Sequence, residues 1–554
     1  MRLPAISRAL LLLASGAVSC ARATPTPAPS AASGGDCCLD DGRRIAERHR
    51  VAAISTRRFT HAQLWGALEP VTRSPAVRVT PIGQSINGRP LRAITVGSGP
   101  TTVLLWSQMH GDESTATMSL ADILTWFTST GERDALRDLL TSRLTMVLVP
   151  MLNPDGAELF QRENALGVDV NRDARRLATP EARALKALRD SIQPAFAFNL
   201  HDQNARTLGG RDGNQVGIAI LAPAADAEKT YGPVRATARL VAARMRDVLE
   251  REIPGRIAKY DDTFNPRAFG DLIQQWGSSA VLIESGALPG DPEKQRLRRV
   301  NVIAILTALQ AIATGGYRAA DPATYESLPT NDRAAVDVLV MGGSVVLPGK
   351  EPMRVDVAMN YEDALRGGTL RVREVGDLSA VAALDTIDAS GLFLHPAPSM
   401  LTGEGNGRWL RINAPAQLAL RRGREENSTL VREVAGTTRP RPTPETRSTM
   451  FGMIGKITAL PGQRDALAAI LTQGASTMPG CLSYIVSRDL ANVDVLWVSE
   501  VWESEASHKA SLALPSVREA IAKGRPLIAS FETSARLEPV GGHGLVPTLS
   551  LIHI

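Results

Sequence analysis

The period of apolar and polar positions changes repeatedly along this chain. FTHAQLWGALEPV, residues 59–71, has helical spacing. VRVTPIGQSINGRPLRAITVG alternates about the turn dipeptide Asn87-Gly88 and predicts a hairpin. TTVLLWSQ is a continuous apolar run with β-branched residues, the pattern of a strand buried on both faces. The two textures then alternate. TATMSLADILTWFTST, PEARALKALRDSI, a segment from about Gly232 to Glu250 and RLRRVNVIAILTALQAIAT predict helices, while LTMVLVPMLNP, AFAFNLH and SSAVLIES predict buried strands. Such alternation implies an α/β sheet covered by helices on both faces, whose ligands bind at the carboxyl ends of strands.

From about Tyr317 to Gly436 the texture changes to short alternating segments, as in VDVLVMGGSVVL and TLRVREVG, which predicts a separate β-rich module over residues 318–436. No chemistry is legible in it. TTRPRPTPETRST is a proline-rich linker. From Met450 the order is strand, helix, strand, strand, helix, strand, which suits a ferredoxin-like α+β domain over residues 450–540.

Length agrees with this division, because 554 residues exceed what one core supports. The formal charge of +5 is spread without a basic block and aromatics make up only 4%, so a nucleic-acid surface is not expected. The first twenty residues pair Arg2 and Arg8 with an apolar stretch too short to span a bilayer, the pattern of a secretory signal. That stretch ends at Ala17-Val18-Ser19-Cys20, which resembles the cleavage box of bacterial lipoproteins, with Ala17 where the box usually has Leu. The resemblance implies lipidation of Cys20, a low-complexity tether over residues 21–50, and a periplasmic or outer-membrane lipoprotein whose membrane contact is the lipid alone. The other cysteines are Cys37, Cys38 and Cys481, and no Cys-x-x-Cys spacing occurs. Neither a disulfide framework nor a cysteine zinc site is expected.

Three polar clusters fall where buried strands end: MHGDE after VLLW, NLHDQ after AFAF, and IESG after AVL. His110 and Glu113, three apart, can face one point, and His201 can supply a third ligand from another strand. Two histidines and a carboxylate form a catalytic zinc donor set.

HGDE, NPDG, RENALGVDVNRD, NLHD and IESG also stand in the order and approximate spacing of the zinc metallocarboxypeptidases, the family that includes pancreatic carboxypeptidase. The resemblance covers residues 55–317 and implies a mixed sheet, one zinc ion held by His110, Glu113 and His201, and Glu284 as general base for metal-activated water. By it Arg162 stabilises the oxyanion, and Asn171 and Arg172 clamp the substrate's terminal carboxylate. Tyr260 is the best-placed candidate for the family's mobile tyrosine, and Phe269 and Asp271 lie where its specificity pocket forms, Asp271 favouring a basic substrate. One departure is Asp202, which follows His201 where the family usually has a small hydroxyl residue.

Residues 450–540 resemble the antibiotic biosynthesis monooxygenase family through their strand order, GCLSYIVSRD, and VWES followed by His508. That resemblance implies dimerisation through joined sheets, with His508 the one plausible polar catalyst or ligand. TLSLIHI, within the tail of residues 541–554, resembles translated adapter sequence and is assigned no function. The expectation is a zinc metallopeptidase cleaving C-terminal peptide bonds. The alternatives are a murein peptide amidase with the same site, a non-catalytic binding protein, and a monooxygenase acting through the C-terminal domain.

Overall fold

The structure is a computed structural model, and it describes residues 36–537 and 539, apart from 131–133, 211–212, 333–334, 437–450, 474–477, 479–480, 503–504 and 513. The signal segment, Cys20, the tether as far as residue 35, the proline-rich linker and the tail lie outside the described residues. The chain divides into two compact units. One runs to Asp202, resumes over Ile218–Ser285 and ends with Arg296–Thr330; the other gathers Gln203–Gly217, Gly286–Gln295 and the chain from Asn331.

The first unit is built on an eight-stranded mixed sheet. Its strands are β1 (Val77–Gln84), β2 (Pro90–Val96), β3 (Thr101–Ser107), β4 (Leu144–Val149) and β5 (Phe196–Asp202) and, after the two-residue β6 (Leu208–Gly209) of the second unit, β7 (Ile218–Leu221), β8 (Ile257–Lys259) and β9 (Ser279–Ser285). The order is β1-β2-β4-β3-β5-β9-β7-β8, with β4, β3, β5 and β9 parallel. Leu104 and Trp106 of β3 point into an apolar cluster with Ala182, Leu185 and Ile273; Leu105, aimed at the opposite face, is equally buried. Both faces of the sheet are therefore covered, as the continuous apolar runs require.

The helices are α1 (Asp36–Arg48), α2 (His61–Ala67), α3 (Glu69–Thr72), α4 (Thr115–Thr128), α5 (Ala135–Arg143), α6 (Pro154–Leu159), α7 (Pro180–Ile192), α8 (Pro233–Glu252), α9 (Phe269–Gln275), α10 (Gln295–Thr314) and α11 (Pro322–Glu326). The first corrects the sequence reading, in which the tether runs on to residue 50: Leu39, Ile45 and Ala46 are buried on α1, so this segment is packed helix. Helix α10 is long and apolar enough to cross a membrane, but it is a core helix: 78% of its most apolar window is buried inside the protein.

In the second unit, β10 (Asn331–Asp332) pairs with β6. The β-rich module follows as β11 (Val336–Val345), β12 (Met353–Asp363), β13 (Gly367–Gly376), β14 (Ala383–Asp388), β15 (Phe393–Pro396), β16 (Leu401–Thr402), β17 (Trp409–Leu410), β18 (Gln417–Arg421) and β19 (Leu430–Ala435). Its main sheet runs β13-β12-β11-β15-β18-β19, with β14 also beside β11, over a core that includes Val340, Val357, Met359 and Leu394. The C-terminal domain has β20 (Phe451–Ala459), α12 (Arg464–Thr472), β21 (Cys481–Arg488), β22 (Val495–Trp502), α13 (Glu505–Ser511), α14 (Pro515–Gly524) and β23 (Ile528–Leu537), in the antiparallel order β21-β22-β20-β23. The single helix predicted after β22 is two helices. Pro515 opens the second, where its missing N–H and fixed φ suit a first turn but not a helix interior.

Candidate metal centre

Strand β3 ends at Ser107, and the chain turns through Gln108, whose φ of 49° is left-handed and unusual for a residue with a side chain. The Gln108 carboxamide holds this turn, donating to the Gly111 carbonyl at 2.9 Å and accepting from Thr117 Oγ1 at 3.0 Å. His110 and Glu113 are brought together by a tight turn ahead of α4, in which the Glu113 N–H donates to the His110 carbonyl at 3.1 Å. Gly111 has to be glycine: a Cβ there would stand 2.0 Å from the Gly156 carbonyl carbon. This close backbone approach explains why HGDE and NPDG occur together.

His201 arrives on β5, beside the end of β3 in the parallel ladder. Ligand-capable atoms of His110, Glu113 and His201 all lie within 4.8 Å of one another. The carboxylate bridges the rings, with His110 Nδ1 at 2.8 Å from Oε1 and His201 Nδ1 at 2.6 Å from Oε2; the two Nδ1 atoms are 3.1 Å apart. All three residues are buried.

The outer faces of the rings are also held. His110 Nε2 meets Asp169 Oδ1 at 3.0 Å, and His201 Nε2 lies 3.4 Å from the Asn171 carboxamide nitrogen. Asp169 in turn accepts the Asn171 N–H at 2.8 Å and Arg162 Nε at 3.1 Å. Asp169 is the functional residue that sequence reasoning missed. It stands inside the quoted VDVNRD, two residues before Asn171, but only the fold reveals that it orients a ligand histidine.

The electrostatics centre on the buried Glu113 carboxylate and the rings that flank it. Burial pulls the His110 imidazole down, but Glu113 and Asp169 outweigh it and raise the ring to about 9. Burial dominates at His201 and lowers it, against the pull of Glu113. Glu113 is held well below the usual carboxylate range: burial opposes its charge, and the two histidines overcome burial. Asp169 is likewise depressed, with burial outweighed by His110 and Arg162. A buried carboxylate thus has its charge balanced by the imidazoles it touches. Two nitrogen donors and one carboxylate fit zinc, which takes this set in catalytic sites.

Arg162, half exposed, donates to Glu113 Oε1 at 3.1 Å and to Asp169, placing a fixed cation beside the cluster. The Asn171 carboxamide oxygen accepts the Phe269 N–H at 2.9 Å. Arg172 is exposed, its guanidinium donating to the Asn171 carbonyl at 2.8 Å. Glu284 lies buried on β9 directly opposite His201 in the parallel register, so both side chains leave the same face of the sheet. Tyr260 follows β8, the edge strand two places beyond β9, where its N–H bonds the Ile220 carbonyl at 3.1 Å. Asp271 opens α9 and accepts the Asn265 N–H at 2.9 Å; burial, partly offset by that bond, raises its carboxyl to about 6. Phe269 belongs to the core cluster with Trp106 and Met109, so its side chain packs the domain and does not line a specificity pocket. Asp202 accepts Thr115 Oγ1 at 2.6 Å, and so pins the first turn of α4 beside Glu113.

In the C-terminal domain a cavity of about 450 Å³ opens between the sheet and α12–α14. Its lining is largely apolar, with His508, Glu500 and Tyr484 among the polar groups. His508 Nε2 lies 3.6 Å from Glu500 Oε2, and its ring packs against Phe451 and Trp502. Burial, assisted by Glu500, pushes the Tyr484 hydroxyl up to about 12.

Residues 69–197 match the zinc carboxypeptidase family profile, and residues 450–523 match that of antibiotic biosynthesis monooxygenases. Among curated proteins, Carboxypeptidase SOL1 of Arabidopsis thaliana is 30% identical over 123 residues, 21% of this chain and 25% of that protein. The chain thus spans about a quarter of the length of such relatives. Among solved structures, a metallo-carboxypeptidase from Burkholderia cenocepacia is 20% identical over 45% of this chain and 69% of its own, with a TM-score of 0.36. A Chloroflexus aurantiacus protein assigned to the antibiotic biosynthesis monooxygenases is 62% identical over 17% of this chain and 98% of its own, with a TM-score of 0.17. The chain carries a zinc carboxypeptidase family domain with a buried His–Glu–His metal site, and a C-terminal domain of the antibiotic biosynthesis monooxygenase family.

Proposed function

We propose that the first domain is a metallocarboxypeptidase that hydrolyses C-terminal peptide bonds. The observation that carries this is that Arg162 and Asn171 reach the same three-residue cluster that His110, Glu113 and His201 form. A zinc ion held by these three ligands would acidify water and polarise the scissile carbonyl. Glu284, beside His201 in the ladder, takes a proton from the attacking water and returns it to the leaving amine. Arg162 donates to the oxyanion as charge develops there. Asn171 and Arg172 bind the terminal carboxylate, Tyr260 contacts the bound substrate, and Asp271 pairs with a basic side chain. Replacing Glu284 with Gln abolishes hydrolysis while zinc stays bound, and full activity in that variant would sink the mechanism. Digesting peptide and muropeptide libraries side by side decides between a carboxypeptidase and a murein amidase.

A second reading rests on the cavity over His508 and Glu500, in which the C-terminal domain oxygenates a small aromatic ligand with dioxygen; the family match of residues 450–523 supports a dimer joined through this domain's sheet. Oxygen uptake by the full chain, lost in His508→Ala, tests the first part; light scattering tests the second. The N-terminal pattern supports export as a lipoprotein, which metabolic labelling of Cys20 with a fatty acid checks.

A further inference from the structure

The β-rich module has no legible chemistry in its sequence, yet it grips two loops that begin at the proposed active site. Chain leaves β5 immediately after His201 and Asp202, and the next fifteen residues, 203–217, belong with the module's own compact unit. Chain leaves β9 immediately after Glu284 and Ser285, and residues 286–295 belong there too. The first loop is fastened by Arg206, five residues past His201. Its Nε and Nη2 donate to Asp337 Oδ2 at 2.9 and 2.7 Å, and Nη2 also donates to the Tyr361 carbonyl at 2.6 Å. The Asp337 side chain is only 1% exposed and also accepts the Tyr361 N–H at 2.8 Å, so the acceptor is fixed by the β11–β12 sheet. Asn331 donates to Gln203 at 2.6 Å, and β10 pairs with β6 inside the same loop.

The two loops are also bonded to each other. The Gly286 N–H donates to the Gly217 carbonyl at 2.8 Å and the Ala287 N–H to the Val216 carbonyl at 2.9 Å. A Cβ at Gly286 would stand 2.1 Å from the Val216 oxygen, so the residue two places after Glu284 is glycine because this backbone contact is so close. The far end of the second loop is held by Arg366 of the turn between β12 and β13, which meets Glu293 at 2.7 Å.

We infer that the β-rich module is a positioning element for the metal site, with Arg206 and Arg366 as positioning residues that set where the chain runs after His201 and Glu284. The inference rests on the proposed peptidase reading and extends it, since neither residue is placed at the substrate. A ligand and a general base act productively only within narrow geometry, and a displacement near 1 Å can cost about 10²-fold in rate.

The test uses the full chain with Arg206→Gln, Arg206→Lys and Arg366→Gln. Arg366 is 49% exposed, so its variant keeps the test alive if Arg206→Gln does not fold. Hydrogen exchange followed by mass spectrometry should speed up over residues 203–217 and 286–288 in the Gln variants, with Arg206→Lys intermediate. At unchanged zinc stoichiometry, kcat/KM for a peptide substrate should fall about tenfold or more. Unchanged exchange overturns the grip; faster exchange with unaltered kcat and KM overturns its role at the site. If the wild-type chain hydrolyses no peptide, the peptidase reading fails, and the exchange measurement still decides whether the module orders these loops.

Discussion

Replacing Arg298 with Met tests how the segment ahead of the sheet is held to it. Arg298 on α10 and Asp122 on α4 have side chains only 1% exposed. The guanidinium donates Nε to Asp122 Oδ2 at 2.6 Å and Nη2 to Oδ1, and it reaches the carbonyls of Ile54 at 2.8 Å and Val51 at 3.1 Å. Asp122 also accepts the Val51 N–H at 2.8 Å, so one ion pair ties two core helices to residues 51–54. Methionine keeps much of the volume and none of the donors. Breaking a buried pair by removing one partner costs about 3–5 kcal/mol. Protonating the stranded carboxyl instead, from an ordinary value of about 3.9, costs about 4 kcal/mol at pH 7, which caps the charge contribution near the same figure. Burial already raises the Asp122 carboxyl, against the opposing pull of Arg298, and without the cation it rises further. The folded variant then binds a proton that the unfolded chain releases, so its stability falls as pH rises. The loss relative to wild type should shrink by about 1.4 kcal/mol per unit as pH is lowered from 7 toward 5. Urea denaturation followed by circular dichroism at several pH values measures this, and adding Asp122→Asn should recover much of the loss. A penalty under about 1 kcal/mol, or one independent of pH, would refute the reasoning.

Three further substitutions have expected outcomes. Asp169→Asn should weaken zinc binding by about 10–100-fold in a chelator competition, because His110 loses the carboxylate that orients it. Arg162→Gln should lower kcat about 10²–10³-fold with a smaller change in KM, since its proposed task arises only as the oxyanion forms. Asp271, raised to about 6 by burial, becomes anionic as pH passes that value. Preference for Lys- or Arg-terminated over Leu-terminated peptides should therefore rise between pH 5 and 7, and Asp271→Asn should flatten that rise. Because the folded state binds this proton more tightly than the unfolded chain, ionised Asp271 costs stability above pH 6, and the Asn variant should be the more stable there.

The long elements were legible because their patterns are dictated by burial on two faces. TTVLLWS, FAFNLH and SAVLIES each carry a run of apolar residues, and each is a central strand. Strands β7 and β8 are not legible in the sequence, because four and three residues are too few to establish a period. Helix α1 reads as tether because DCCLDDGRRIAER has a polar surface broader than its buried stripe. Within the site, ligand identities could be read from residue type at strand ends. Their mutual geometry could not, since it depends on a turn held by Gln108 and on the contact of Gly111 with Gly156.

The sequence by itself determined the α/β texture of the first domain and the three residues whose chemistry suits zinc. These follow from local period and from side-chain type, which are properties of short segments. Only the tertiary structure decided that Asp169 braces His110, that Phe269 is core rather than pocket, and that the β-rich module holds the loops after His201 and Glu284. Each of these depends on contacts between segments far apart in the chain, and no local pattern encodes which distant group will occupy the space beside a given side chain.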